Sequence, residues 1–317
     1  MSALERERPT VPRAEPRSYY GQPVIKEPVW TWEIPLYFFT GGLAGGAAGL
    51  AYLGELRGND VLARRAWALA FAAAAVSPVL LISDLGRPAR FLNMLRLLKV
   101  TSPMSVGSWL LTLTAPAGGV AAASSALGAF PRLGKLAKPL AAVAGLPLST
   151  YTAGLVANTA VPIWHQARRT LPFVFGAGAA ASAGAAAVLI TPPEHAAPAR
   201  RLALVGAVGE LAAARAMEQE LGELGAPYHE GTSGTLTRAA QLATGAGAIT
   251  LGAFARRRRA GALAGAWMVL GGALLERWAV FKAGFASAAD PKYTVGPQRA
   301  RIEEGRTRGA ERVAAAR

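Results

Sequence analysis

Five ionisable residues lie within or at the ends of the long apolar stretches of this 317-residue sequence. An ionised side chain in a bilayer costs about 3 kcal/mol or more, so each is a candidate for function. A carboxylate can take up and release a proton, and a guanidinium can stabilise its charge. We therefore expect some of the five to serve a polar cavity; they are Glu33, Asp84, Glu210, Glu276 and Arg277.

Three of these residues, Glu33, Asp84 and Arg277, are expected near the same membrane face, in one cleft. Tyr37 follows Glu33 by about one helical turn and could donate a hydrogen bond to a carbonyl. Structural roles are the alternatives: Glu33 could favour a helix start through the helix dipole, and Asp84 could pair with Arg87. Glu276 and Arg277 could form a structural pair.

The apolar stretches have the length that crosses a bilayer as a helix, about 17–25 residues. The chain is 52% hydrophobic and only 17% charged. We therefore predict an all-α integral membrane protein with about eight transmembrane helices in a bundle. The stretches are about 34–53, 66–82, 106–127, 140–160, 171–190, from 202 onwards, 239–255 and 261–281.

The stretches divide the chain into a polar arm (1–29), a transmembrane domain (30–285) and a polar tail (286–317). Residues 90–99 are too few to span and predict a short amphipathic helix in the membrane interface. Charges interrupt the sixth stretch, which is expected to face the bundle interior and to extend past the membrane.

The net charge of +15 comes from lysines and arginines in loops and tails, where they set membrane orientation and bind anionic lipid. We therefore expect a lipid bilayer and no nucleic acid as partner. Eight spans place both termini on one side. The connections opposite the termini carry 12 Lys/Arg and those on the terminal side carry eight, which favours termini outside the cytoplasm.

The histidine and cysteine content argues against resident redox groups. The chain has no cysteine, which excludes cysteine-ligated iron–sulfur clusters. Its three histidines, His165, His195 and His229, lie at or outside the ends of the apolar stretches, so no pair is placed to ligate haem. We expect neither haem nor an iron–sulfur cluster, and no metal site, in this chain.

Several segments follow one another in a recognisable order over roughly residues 28–297. They include Asp84-Leu85-Gly86-Arg87-Pro88 and Thr101-Ser102-Pro103-Met104-Ser105. The other segments are 30–39, 41–46, 151–152, 161–164, 171–172, 276–278 and 289–294. In this order they resemble the membrane subunit of polysulfide reductase, the NrfD type.

The resemblance implies a cofactor-free, multi-pass anchor subunit of an oxidoreductase in the bacterial inner membrane. Such a subunit docks a ferredoxin-like iron–sulfur protein, and through it a molybdopterin catalytic subunit. Electrons would pass between the partner's cluster and menaquinone or ubiquinone in the respiratory chain, with proton uptake or release.

The resemblance also implies site residues by position. Glu33 and Asp84 would exchange the proton, and the quinone would be bound by Trp32, Tyr37, Arg87, Ser105 and Arg277. Two alternatives remain open at this stage. A solute or ion transporter would have broken helices and charges near mid-membrane. A purely structural anchor would have no quinone site.

Overall fold

A computed structural model describes residues 22–85, 87–254 and 258–315 of the chain, with side chains described as far as residue 305. Residues 1–21 of the predicted arm lie outside the described part. The described residues form eleven α-helices, two 3₁₀ helices and no strand. The α-helices are α1 (Glu33–Leu56), α2 (Asp60–Asp84), α3 (Arg90–Met94), α4 (Pro103–Leu127), α5 (Pro131–Ala157), α6 (Pro162–Gln166), α7 (Leu171–Ile190), α8 (Ala197–Leu221), α9 (Gly231–Ala253), α10 (Arg259–Ala289) and α11 (Lys292–Ala315).

Nine of these helices have 20 residues or more. All of them except α11 coincide with the eight apolar stretches and are called the long helices below, and the all-α membrane class is confirmed. In the described part, six are long and apolar enough to cross a membrane: α1, α2, α4, α5, α7 and α10. The other two, α8 and α9, carry more polar side chains. Eight spans therefore remain a prediction.

The long helices alternate in direction, which creates two faces. The terminal face contains the starts of α1, α4, α7 and α9 and the ends of the other four long helices. The opposite face contains the remaining ends. Contacts between distant loops agree with this arrangement: Thr31 meets Asp84 on the terminal face, and Asn59 donates to the carbonyl of His195, 3.0 Å away, on the opposite face.

The helices pack as two groups, α1–α2–α4–α5 and α7–α8–α9–α10, with α1 and α7 in contact between them. Small residues permit this contact. A Cβ atom on Gly45 of α1 would collide with the carbonyl oxygen of Gly145 of α5, and one on Gly46 would lie 2.7 Å from the carbonyl oxygen of Ala179 of α7. Close approach of backbones is the usual basis of helix association in lipid.

One carboxylate ties the first group together near the opposite face. Glu55 Oε1, at the end of α1, accepts hydrogen bonds from Trp67 Nε1 of α2 at 3.0 Å and Ser125 Oγ of α4 at 3.1 Å. It also pairs with Lys138 Nζ of α5 at 2.7 Å. A single partly buried charge therefore fixes four helices.

Two polar segments differ from their predicted form. The expected interfacial helix over 90–99 is helical only over Arg90–Met94, and the residues after it form an irregular segment with isolated turns up to Ser102. The polar tail contains a helix that the sequence analysis did not predict, Lys292–Ala315, with residues 298–305 exposed.

We expect both termini on the same side of the membrane, because eight long helices alternate in direction. Reporter fusions at residues 1 and 317 should give the same signal, and a fusion in the α4–α5 loop at Gly128 should give the opposite one. Different signals from the two termini would show that one of the long helices does not cross.

Candidate functional site

Thr31 brings together two of the predicted catalytic carboxylates on the terminal face. Its hydroxyl lies 3.0 Å from Asp84 Oδ1 and also contacts Glu33 Oε2. The backbone N–H of Thr31 donates to the same Asp84 oxygen at 3.3 Å. The structure therefore joins the start of α1 to the end of α2 through Glu33, Thr31 and Asp84.

The single hydroxyl hydrogen of Thr31 limits the hydrogen bonds that can form at this junction. A threonine hydroxyl has one hydrogen to donate, whereas an ionised carboxylate can only accept. Thr31 can therefore donate to only one of the two carboxylates. The hydroxyl therefore lies between the two carboxyl groups and links them as a shared donor.

Glu33 and Asp84 lie at opposite kinds of helix end and therefore experience different electrostatic fields from the helix dipoles. Glu33 begins α1, where the helix dipole favours a negative charge, and Asp84 ends α2, where the dipole opposes one. The two donors of Thr31 offset this for Asp84. Arg87, the sequence-based partner of Asp84, is exposed, and among the described residues it has no carboxylate within 4 Å.

Tyr37 lies fully buried one turn inside the bundle, and its hydroxyl contacts that of Tyr151 on α5. The ring of Tyr151 occupies the space where a Cβ atom on Gly107 of α4 would be, so Gly107 allows the tyrosine to enter. The two tyrosines join α1, α4 and α5 beneath the carboxylates. In this structure the Tyr37 hydroxyl faces Tyr151 rather than an open surface.

Tryptophans form the rim of the site. Trp32 is 59% exposed beside Glu33. Trp30 stacks on Trp164 of α6 with ring centroids 5.6 Å apart, and Trp164 Nε1 donates to the carbonyl oxygen of Val280 on α10 at 2.8 Å. This stack anchors the segment before α1 to the second helix group and so holds Thr31 in position.

Ser105 has both hydrogen-bonding roles engaged at the start of α4. Its hydroxyl donates to the carbonyl oxygen of Leu97 at 3.2 Å and accepts from the N–H of Lys99 at 3.0 Å. These bonds fasten the turn segment after α3 to the bundle. The structure thus gives Ser105 a positioning role beside the site.

Arg277 has partners outside the Glu33–Asp84 junction. It is 2% exposed on α10, lies 3.7 Å from Glu210 Oε1 of α8, and donates to the carbonyl oxygen of Phe175 on α7 at 2.9 Å. Its guanidinium carbon lies 4.1 Å above the Phe175 ring. Glu210, one of the charges that interrupt the sixth apolar stretch, is 3% exposed and lies in the bundle interior.

This buried ion pair needs space between the helices that cannot be recognised from residue types and spacing alone. A Cβ atom on Gly178 of α7 would collide with Glu210 Oε1 and Arg277 Nη2, so a larger residue there would force the ion pair to shift. Both carboxylate oxygens of Glu210, with Nε and Nη1 of Arg277, lack a hydrogen-bond partner among the described residues. Glu276, 4% exposed, is the third ionisable side chain of this buried cluster.

Comparison with protein families agrees with the geometry. Residues 22–195 match the model of the family "Polysulphide reductase, NrfD", which is more than half of the chain. The chain therefore belongs to the NrfD family. Its members are quinone-interacting membrane subunits of polysulfide-reductase-like complexes and typically pair with iron–sulfur and molybdopterin subunits. A search of curated proteins finds no match.

Removal of the buried arginine is expected to destabilise the second helix group. Arg277→Gln leaves Glu210 and Glu276 buried without a cation, which should lower the free energy of unfolding by about 3 kcal/mol or more. Thermal unfolding of the purified chain in detergent measures the effect.

The matched control is Arg215→Gln, which breaks an ion pair with Glu218 in which the arginine is 73% exposed. A solvent-screened pair contributes little, so its unfolding temperature should stay near that of the parent. Adding Glu210→Gln to Arg277→Gln should recover part of the loss. An equal loss in the Arg277 and Arg215 variants would contradict a stabilising role for the buried pair.

Proposed function

We propose that this chain is the cofactor-free membrane anchor of a multi-subunit oxidoreductase and exchanges electrons between an iron–sulfur partner and membrane quinone. One observation carries the proposal: the carboxyl groups of Glu33 and Asp84 meet at Thr31 on the terminal face. Family membership supplies the class of complex.

The stoichiometry of the reaction explains why such a pair is useful. Oxidation of a quinol to a quinone releases two electrons and two protons, and reduction consumes the same numbers. The electrons pass to or from the partner's cluster. The protons need a carrier within hydrogen-bond reach of the quinone oxygens, and the half-buried carboxyls of Glu33 and Asp84 are suited to this role.

The other site residues take supporting roles in this proposal. Trp32 offers an exposed ring for the quinone head, and Arg87 offers an exposed cation at the rim. Tyr37 forms the floor of the site, where its hydroxyl is paired with that of Tyr151. Ser105 positions the adjoining turn segment. Arg277 stabilises the second helix group beneath them.

A transporter remains the second candidate because one observation favours it. Glu210 lies near the middle of α8, and charges near mid-membrane are typical of transport sites. However, α8 and α10 are continuous helices through the cluster, whereas transporter binding sites typically use broken helices. Family membership also favours the anchor.

The carboxylates can be tested by exchange for their amides. Glu33→Gln and Asp84→Asn keep the shape but remove proton exchange, so we expect at least one to lower quinone-linked turnover of the assembled complex by about 10²-fold. Reduction of an artificial acceptor at the catalytic subunit should stay near normal. Tyr37→Phe should weaken quinone binding with a smaller effect on rate.

Glu55→Gln is the matched control, since Glu55 is a half-buried carboxylate of the same helix at the opposite face. It should leave the quinone kinetics unchanged. Full quinone activity in both Glu33→Gln and Asp84→Asn would place the proton carrier elsewhere, with Glu210 and Glu276 next to be tested.

We further propose that the terminal face docks the iron–sulfur partner. Its surface comprises the segment before Trp30, residues 90–99 and α11. Exposed leucines and basic side chains are mixed along residues 90–99, and α11 is exposed over 298–305. This mixture of apolar and cationic groups suits an acidic electron-transfer partner.

Deletion of residues 298–317 should release the iron–sulfur partner while the anchor stays in the membrane. Co-purification through a tag on the anchor measures retention. A variant with a Gly/Ser segment of equal length in place of 298–317 separates the contribution of the helix from that of chain length. Survival of the intact complex in both variants would exclude α11 as a docking element.

A further inference from the structure

A lateral cavity of about 570 Å³ opens between α1, α5, α7 and α8 in the half of the bundle next to the opposite face. It lies away from the Glu33–Asp84 junction. Its deep end lies at Gly45, Ser149 and Gly176, and its mouth is at Arg57, Asn59 and Arg201. We name this cavity the α1–α8 groove.

The length of the groove matches one leaflet of a bilayer. Gly45 and Arg57 are twelve residues apart along α1 and its C-cap, or about 18 Å at the rise of an α-helix. Half of a hydrocarbon core is about 15 Å. A molecule with its polar end at Arg57 would therefore extend its apolar part to about mid-membrane.

The walls of the groove are apolar and leave room for a hydrocarbon chain. A Cβ atom on Gly49 would meet no heavy atom within 4 Å, so the α1 wall opens into space at this point. Leu53 and Val205, which border the groove, are 58% and 72% exposed. A flexible hydrocarbon chain would bury these surfaces.

The mouth of the groove is cationic. Arg57 and Arg201 are both exposed, and neither has a side-chain hydrogen bond or an ion pair within the part of the chain that the structure describes. Neighbouring Glu55 is neutralised by Lys138. Asn59 is already engaged with His195 and Leu62. Two guanidinium groups are therefore left to bind an anion.

From these observations we propose that the α1–α8 groove is a binding site for an anionic phospholipid. One acyl chain lies along Gly49 towards Gly45, and the phosphate lies between Arg57 and Arg201. Guanidinium groups bind phosphate through paired, charge-assisted hydrogen bonds. Basic pockets between transmembrane helices recognise lipid headgroups in this way. The net positive charge at the mouth favours an anionic lipid over a zwitterionic one.

The test measures lipid binding to the full-length chain, purified in detergent and freed of native lipid. Phosphatidylglycerol and phosphatidylcholine are titrated in turn, and bound lipid is counted by native mass spectrometry. We expect one phosphatidylglycerol to bind at least about tenfold more tightly than phosphatidylcholine. Arg57→Gln with Arg201→Gln should lower its affinity by about tenfold or more.

Matched variants separate the groove from the general surface. Gly49→Leu should block the acyl chain, whereas Gly271→Leu adds the same side chain at another open glycine, on α10, and should leave binding unchanged. Arg64→Gln removes an exposed cation outside the groove and should also leave binding unchanged. Gly49 and Gly271 have free space where the new side chain would lie, and the substituted arginines are exposed, so each variant should remain folded.

Four outcomes would overturn the proposal. Equal binding of the two lipids, or unchanged binding in Gly49→Leu and in the double arginine variant, would exclude a specific lipid site. Inorganic phosphate alone giving the same Arg57-dependent binding would indicate a free-anion site. Displacement of phosphatidylglycerol by a short-chain quinone at equal concentration, lost in Gly49→Leu, would identify the occupant as quinone.

Discussion

Direct contact between helix backbones holds this molecule together, because lipid provides no hydrophobic drive between its helices. Such contact occurs where α1 passes α5 and α7, with Gly45 against Gly145 and Gly46 against Ala179. Since α1 lies between the two helix groups, its ends are fixed relative to both. Glu33 at one end can therefore meet Asp84 of α2, and Glu55 at the other can tie four helices.

A small residue also makes room for the buried ion pair of Glu210 and Arg277. Glu210 and Arg277 occupy the space beside Gly178 of α7, where a Cβ atom would collide with both side chains. Taking these charges out of water is costly, and several of their polar atoms have no hydrogen-bond partner among the described residues. The pair gains from mutual attraction, the carbonyl oxygen of Phe175 and the face of its ring.

Hydropathy predicted the helices because length and apolar composition are local properties of the chain. Residues 34–53 and 171–190 became α1 and α7 with little shift of their ends. Lateral neighbours are not local, so Arg277 was expected beside Glu33 and Asp84, whereas its partners are on α7 and α8. Depth in the membrane can be read from a sequence, but the direction a side chain faces around the bundle cannot. Thr31 was not predicted as a site residue for a related reason. A threonine hydroxyl cannot be recognised as part of a site until the structure shows the two carboxylates beside it.

Access to water distinguishes the two sets of carboxylates. Glu210 and Glu276 are at most 4% exposed, so they can exchange protons only when the packing around them opens. Glu33 and Asp84 are half-buried at a helix start and a helix end, beside the exposed Trp32. A group that must bind or release a proton in every turnover needs both a route to water and partial shielding near the quinone. Of the carboxylates that the structure describes in the bundle, the pair at Thr31 combines these properties on the face where the polar tail helix also lies.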